Sequence, residues 1–210
     1  MVDFADFTQI EFINSLASSD PTPGGGSAAA IALSQSAGLT VMVADITLGR
    51  EKWKDGWGCA QIAKNIAKPL LCQGIELANK DTNAFEQVMA SFKLPKNTDD
   101  ESLIRKQAIT DSTYLASTVP LETAKLALKL LMSQIDLAKL GNSNAVTDVG
   151  VASLLSSAAC KGALLNVQIN ANSLPDELSS DLIREINDLR TQAGEASRAV
   201  MKAVYDRMAD

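Results

Sequence analysis

Between residues 178 and 208 the chain keeps one pattern. Leu178, Leu182, Ile186, Leu189, Ala193, Ala196, Val200, Val204 and Met208 follow one another at steps of three and four. Only an α-helix returns side chains to one face at that step, and so long an apolar stripe must be covered by other long helices. Residues 27–44 reinforce this, because they carry no charge at all. Ser34, Gln35, Ser36 and Thr40 interrupt that run, which is short for a bilayer span, so it reads as a helix buried on all sides rather than a membrane segment. β-branched residues form no alternating runs, and no repeat or linker divides the chain. The expected fold is an all-α, single-domain bundle of long helices covering residues 1–210, long enough to bury a real core.

The helices can be placed in order. Thr8 and Glu11 make a capping box for a first helix over about residues 8–17, with Ile10, Phe12, Ile13 and Leu16 as its apolar face. A second helix begins at Ser27 or at a glycine before it and fades near Thr47-Leu48-Gly49. A third covers about residues 60–92, with Pro69 as a kink or a late start. Thr98 and Glu101 form a second capping box and open a fourth. Pro120 suits the first turn of a fifth helix that stops at Gly141. A sixth, over about residues 148–171, is crowded with Ala152, Ser153, Ser156, Ala159, Gly162 and Ala163, so it belongs at the centre or at a subunit contact. Ser173-Leu174-Pro175-Asp176 opens the last.

Composition narrows the chemistry. The chain has no histidine, which rules out a Ser-His-Asp or Cys-His arrangement and any imidazole-ligated zinc. Cys59, Cys72 and Cys160 match no metal or redox spacing and read as reduced thiols of a cytoplasmic protein. A net charge of −6 argues against broad binding to nucleic acid or an anionic membrane. The first residues lack the basic and apolar regions of a secretory signal. Chemistry must therefore fall to carboxylates, amides, lysines or backbone groups.

One stretch stands out for binding: Pro23-Gly24-Gly25-Gly26-Ser27, immediately ahead of an apolar helix. Glycines expose backbone N–H groups that a side chain would block, and a helix N-terminus favours negative charge. The same residues also suit a tight turn that lets two helices approach. Either reading accounts for them.

Taken in order, several blocks resemble the cyclodeaminase/cyclohydrolase family of tetrahydrofolate one-carbon enzymes. They are Pro21-Thr22-Pro23-Gly24-Gly25-Gly26-Ser27, Thr47-Leu48-Gly49-Arg50-Glu51-Lys52-Trp53, Asp81-Thr82-Asn83-Ala84-Phe85, Leu94-Pro95-Lys96-Asn97-Thr98, the run over residues 141–152, and Asn166-Val167-Gln168-Ile169-Asn170. The resemblance implies an all-helical homodimer with a folate cleft and neither metal nor redox cofactor. It maps a catalytic role onto Asp81. Thr82 and Asn83 depart from the alanine and glutamate usual in that block, and Trp53 replaces a tyrosine or phenylalanine.

The residues themselves support part of this. Asp81 sits mid-helix among Ile75, Leu77, Phe85 and Val88, where burial lifts a carboxylate toward useful acid–base strength. Asp148 is the next carboxylate in the matching blocks. With Asn142 and Asn144 it can hold a pterin edge or fix a water, or it can cap the helix it opens. Asn166 and Asn170, one turn apart on an apolar face, call for a ligand contact or an interhelical hydrogen bond. Arg50 and Lys52, with Lys54, are candidates for the glutamate tail of folate or form an ordinary solvated loop.

The expected activity is 5,10-methenyltetrahydrofolate cyclohydrolase, favoured because no formiminotransferase domain accompanies the chain. The alternative is formiminotetrahydrofolate cyclodeaminase. A helical dimer that binds folate or a partner without catalysis is the reading from another class.

Overall fold

The computed structural model describes residues 3–209, and among them six α-helices and no strands. They are α1 (Gln9–Leu16), α2 (Gly25–Leu48), α3 (Trp57–Phe92), α4 (Asp99–Leu140), α5 (Val146–Ala171) and α6 (Asp176–Ala209). Met1, Val2 and Asp210 lie outside the described residues, so the reading of the extreme N-terminus extends only from Asp3 onward.

The all-α bundle expected from the α6 stripe is present. Leu182, Ile186, Leu189, Ala193, Ala196, Val200 and Val204 are buried, while Leu178 and Met208 at its ends are exposed. α4 packs against α2, α3, α5 and α6, and α5 lies between α2, α4 and α6, the central place its small residues anticipate. Close approach explains some of those glycines. A Cβ on Gly162 would rest on Ala29, and one on Gly74 would stand 2.6 Å from the Ala30 carbonyl oxygen. Midway along the bundle, fully buried Gln134 of α4 sets its side-chain amide within hydrogen-bond distance of the Ser36 and Thr40 hydroxyls of α2 and the Ser156 hydroxyl of α5. That polar knot fixes the relative register of three helices whose cores are otherwise alanine and leucine.

Both capping boxes form, at Thr8–Glu11 and Thr98–Glu101. The anticipated break at Pro120 does not occur, and the expected fourth and fifth helices are one continuous α4. Proline deprives the carbonyl four residues earlier of its N–H partner. Here that carbonyl is Ala116, and Asn170 Nδ2 of α5 donates to it at 3.1 Å. A tertiary contact replaces the missing helical bond, which local sequence rules cannot foresee. Smaller differences lie at helix starts, with α3 beginning at Trp57 and α5 at Val146.

α1 departs from its expected burial. Phe12 and Leu16 are half-buried, but Ile10 is 60% and Ile13 56% exposed. The anchor of this region is instead Phe4, buried in edge-to-face contact with Phe7 and Phe12, its N–H donated to Asn79 of α3. α2 and α5 are long and apolar enough to cross a membrane by length and composition, yet about half of each such span is buried inside the bundle.

Candidate active site

α2 starts without a side-chain cap. Its N-cap is Gly24, in extended backbone, so the first-turn N–H groups need partners from elsewhere. One arrives from α3. The Asp81 carboxylate lies against the first turn of α2, accepting from the Ser27 hydroxyl at 3.0 Å and from the Ser27 backbone N–H. The contact is possible only because residue 26 has no side chain, since a Cβ there would fall 2.6 Å from Asp81 Cγ. No glycine among the described residues has positive φ, so Gly26 is needed for space and not for backbone conformation.

Two effects oppose each other at Asp81. Burial pushes its pKa above the ordinary aspartate value, while the Ser27 hydroxyl and backbone N–H hold it down, and burial wins. A shift in that direction brings a carboxyl closer to the range in which it can both take and return a proton.

Asp81 opens into a cleft of about 240 Å³. Pro21, Thr22, Gly24, Gly25 and Gly26 form one wall, Phe85 and Val88 continue the Asp81 face of α3, and Ala116, Asn166, Ile169 and Asn170 close it from α4 and α5. Asp81 is the one charged residue in that lining. Two larger hollows lie beside Phe4 and Phe7; one takes in Asp20 and Glu86, both exposed, and the other is lined by no carboxyl. Chemistry, not volume, singles out the smaller cleft.

The two asparagines behave differently. Asn170 makes the interhelical bond expected of it, to Ala116. Asn166 Nδ2 instead bonds back along its own helix to Gly162, which leaves its side chain in the cleft wall beside Gly25. Ser27 is fully buried and engaged with Asp81, so its place is behind the carboxylate and not on the cleft surface. Phe85, Val88 and Ile169 were not singled out beforehand as binding residues. Their spacing holds the signal, because residues 81, 85 and 88 share one face of α3 and 166, 169 and 170 one face of α5.

The remaining candidates are not part of this cleft. α2 is 24 residues long, so about 36 Å separates its ends. Arg50, Lys52, Asn142, Asn144 and Asp148 cluster at the far one. There the Trp57 indole donates to the Thr47 and Arg50 carbonyls, closing the C-terminus of α2. Asn142 is buried, with Oδ1 accepting from the Asn144 N–H and Nδ2 donating to the Ile46 carbonyl. Asp148 stands in the first turn of α5, where negative charge suits the helix dipole; α5 has no side-chain cap, and Asn142 caps the short turn at residues 143–145 that precedes it. Lys52 and Arg207 both face the Trp53 ring, and Arg207 also donates to the Lys139 and Gly141 carbonyls at the end of α4. Sequence reasoning missed Arg207, whose partners are more than sixty residues away.

The described residues form an all-helical bundle in which the half-buried Asp81 carboxyl faces a cleft with no other charged residue in its lining. Over residues 8–188 the chain matches the formiminotransferase-cyclodeaminase family, and it belongs to that family. It is 32% identical to a methenyltetrahydrofolate cyclohydrolase of Methylorubrum extorquens, over 94% of this chain and 95% of that protein. It is 28% identical to the formimidoyltransferase-cyclodeaminase of Rattus norvegicus over 87% of its own length, spanning only 35% of the rat protein. The crystal structure of a formiminotetrahydrofolate cyclodeaminase from Thermotoga maritima has the same fold, with a TM-score of 0.85 at 24% identity, covering 96% of this chain and 98% of that one.

Proposed function

We propose that this protein is a tetrahydrofolate one-carbon enzyme acting at the carbon bridge of the substrate, and that its reaction is the hydrolysis of 5,10-methenyltetrahydrofolate to the 10-formyl compound. The carrying observation is Asp81, a half-buried carboxyl with a raised pKa that faces an otherwise uncharged cleft. The near full-length likeness to a protein named as the cyclohydrolase favours that reaction over deamination of the formimino compound.

The substrate supplies its own electrophile, a cationic carbon between N5 and N10. Water adds to that carbon and gives a proton to Asp81. The bond from carbon to N5 then breaks as Asp81 returns the proton to N5, and the carbinol loses its O–H proton to solvent as the formyl C=O forms. One carboxyl serves as base and then as acid. Phe85, Val88 and Ile169 give the cleft the apolar walls on which a flat heterocycle packs, and Asn166 and the Gly25 backbone offer polar edges. No cofactor beyond the folate substrate is required, and the reading is of a cytoplasmic protein that acts on neither nucleic acid nor membranes.

The same reading includes a homodimer. α2 and α5 leave Met42, Ile46, Val151, Leu154, Leu165 and Ile169 exposed, an apolar face that single surface residues do not account for. Ile169 belongs both to that face and to the cleft, while Ile46 lies beside the Asn142 turn at the other end. A second copy laid antiparallel on this face would carry its own Arg50, Lys52, Asn144 and Asp148 toward Asp81 of the first. The far cluster then serves the glutamate tail or pterin edge of a substrate held by the partner.

The test is a pair of steady-state rates on one purified preparation, following the methenyl chromophore. The proposal expects loss of absorbance with the methenyl substrate to be the faster reaction. A faster gain of absorbance from the formimino substrate would establish the cyclodeaminase instead, and no turnover of either would leave a folate-binding protein without catalysis.

A further inference from the structure

Ser27 stands at the meeting point of three oxygens. Its Oγ is 3.0 Å from Asp81 Oδ2, 3.3 Å from the Ala78 carbonyl and 3.3 Å from Thr82 Oγ1. A hydroxyl has one proton and two acceptor positions, so it cannot donate to all three at once. Two arrangements satisfy the group. In one, Thr82 donates to Ser27 and Ser27 donates to an ionised Asp81. In the other, a protonated Asp81 donates to Ser27, and Ser27 turns its proton to the Ala78 carbonyl or to Thr82.

We propose that Ser27 and Thr82 form a two-position hydroxyl relay that pairs Asp81 in both its ionised and its protonated form without moving a heavy atom. The proposal rests on reading Asp81 as the acid–base group. An acid–base carboxyl passes through both forms in every turnover, and a fixed donor would favour one form and resist the other. Ser27 is a positioning residue here, fully buried behind the carboxylate, and Thr82 is a second, acting through it. This gives a use to Thr82, one of the two positions in its block where the sequence departs from the family's usual residues.

Few other groups compete for control of Asp81. Facing it, α2 presents Gly25, Gly26 and Ser27, α4 presents Ala116, and α5 presents Asn166 and Asn170, all uncharged. On α3, Lys80 and Glu86 are exposed, and so is Asp20 of the segment before α2, which shares a hollow with Glu86 and Thr82. No charged neighbour contributes to the displacement of the Asp81 pKa.

The experiment follows the Asp81 side-chain carboxyl by carbon NMR across a pH titration of the ligand-free protein, in wild type, Thr82→Val, Thr82→Ser and Ser27→Ala. Hydrogen bonds to a charged acceptor outweigh those to a neutral one, so removing either hydroxyl costs the ionised form more. The Asp81 titration should move to higher pH in Thr82→Val and further in Ser27→Ala, and Thr82→Ser should restore the wild-type midpoint. The acid limb of kcat/KM should move with it. An Asp81 midpoint unchanged in both Thr82→Val and Ser27→Ala overturns the relay. If the NMR midpoint moves while the kinetic limb stays in place, the relay stands and the assignment of Asp81 as acid–base group fails. Folded Thr82→Val alone suffices if Ser27→Ala does not fold.

Discussion

The two ends of α2 use similar residue types for opposite purposes. At its start, a carboxylate, two asparagines and a glycine-rich turn surround open space, and Asp81 is held off its ordinary pKa by burial. At its end, an asparagine, a tryptophan and an arginine are consumed by backbone groups: Asn142 by Asn144 and Ile46, Trp57 by Thr47 and Arg50, Arg207 by Lys139 and Gly141. The asparagines at the start bond to backbone carbonyls as well, so what separates the two ends is the ionisable carboxyl of Asp81 facing open space.

The sharpest way to break this contrast is to fill the space at the start of α2. Gly26→Val puts a branched side chain where Asp81 now lies, so the carboxylate must leave Ser27. Turnover should fall by at least tenfold, with a stability loss of about 1–3 kcal/mol typical of overpacking. Gly25→Val is the control. Its Cβ meets only Asn166 Nδ2 at 3.8 Å, so the fold should hold while folate binding weakens, read by titration of a folate ligand against the melting temperature.

At the other end, Asn142→Ala should act on stability before activity. It strips the Ile46 carbonyl and the Asn144 N–H of their partner, a cost of about 1–3 kcal/mol in denaturant melts. Asn170→Leu should cost a similar amount, because the Ala116 carbonyl, already deprived by Pro120, loses its only replacement donor among the described residues.

A smaller effect concerns pH. With its pKa raised on folding, Asp81 binds its proton more tightly in the native state, so the stability it contributes is complete below the ordinary aspartate value and is lost as the pH rises from there through the native value. Asp81→Asn cannot ionise. Its melting temperature should therefore gain on wild type as the pH rises from acid toward neutral, and the difference should vanish at low pH.

The smallest expected effect is none. Burial pushes the Cys160 thiol up to about 11 and raises Cys59 as well, which leaves exposed Cys72 as the accessible site. Alkylation should modify Cys72 with activity retained, and dialysis against a strong chelator should leave turnover unchanged.

How much of this was legible in the sequence depends on how local each feature is. The α6 stripe, the two capping boxes and the small residues of α5 report on one helix and its immediate packing, and all three read correctly. Pro120 misled because its compensation comes from Asn170, fifty residues away. The Ile10 and Ile13 face of α1 looked like core, yet a periodic pattern names an apolar face without naming what covers it. In the site, Asp81 and the glycines could be chosen from type and neighbourhood. That Ser27 sits behind the carboxylate, and that Asn142 and Asp148 lie a helix length away, depends on how helices pair in space.

The central claim is that proton transfer belongs to Asp81 and not to Asp148. The most direct measurement is kcat for Asp81→Asn and Asp148→Asn with the methenyl substrate, in preparations matched to wild type by circular dichroism and sedimentation. The account predicts a fall of about 10²–10⁴ for Asp81→Asn, the usual worth of a general acid–base group, and a change of no more than a few-fold in kcat for Asp148→Asn. A near wild-type kcat in folded Asp81→Asn, with the large loss at Asp148 instead, would contradict it.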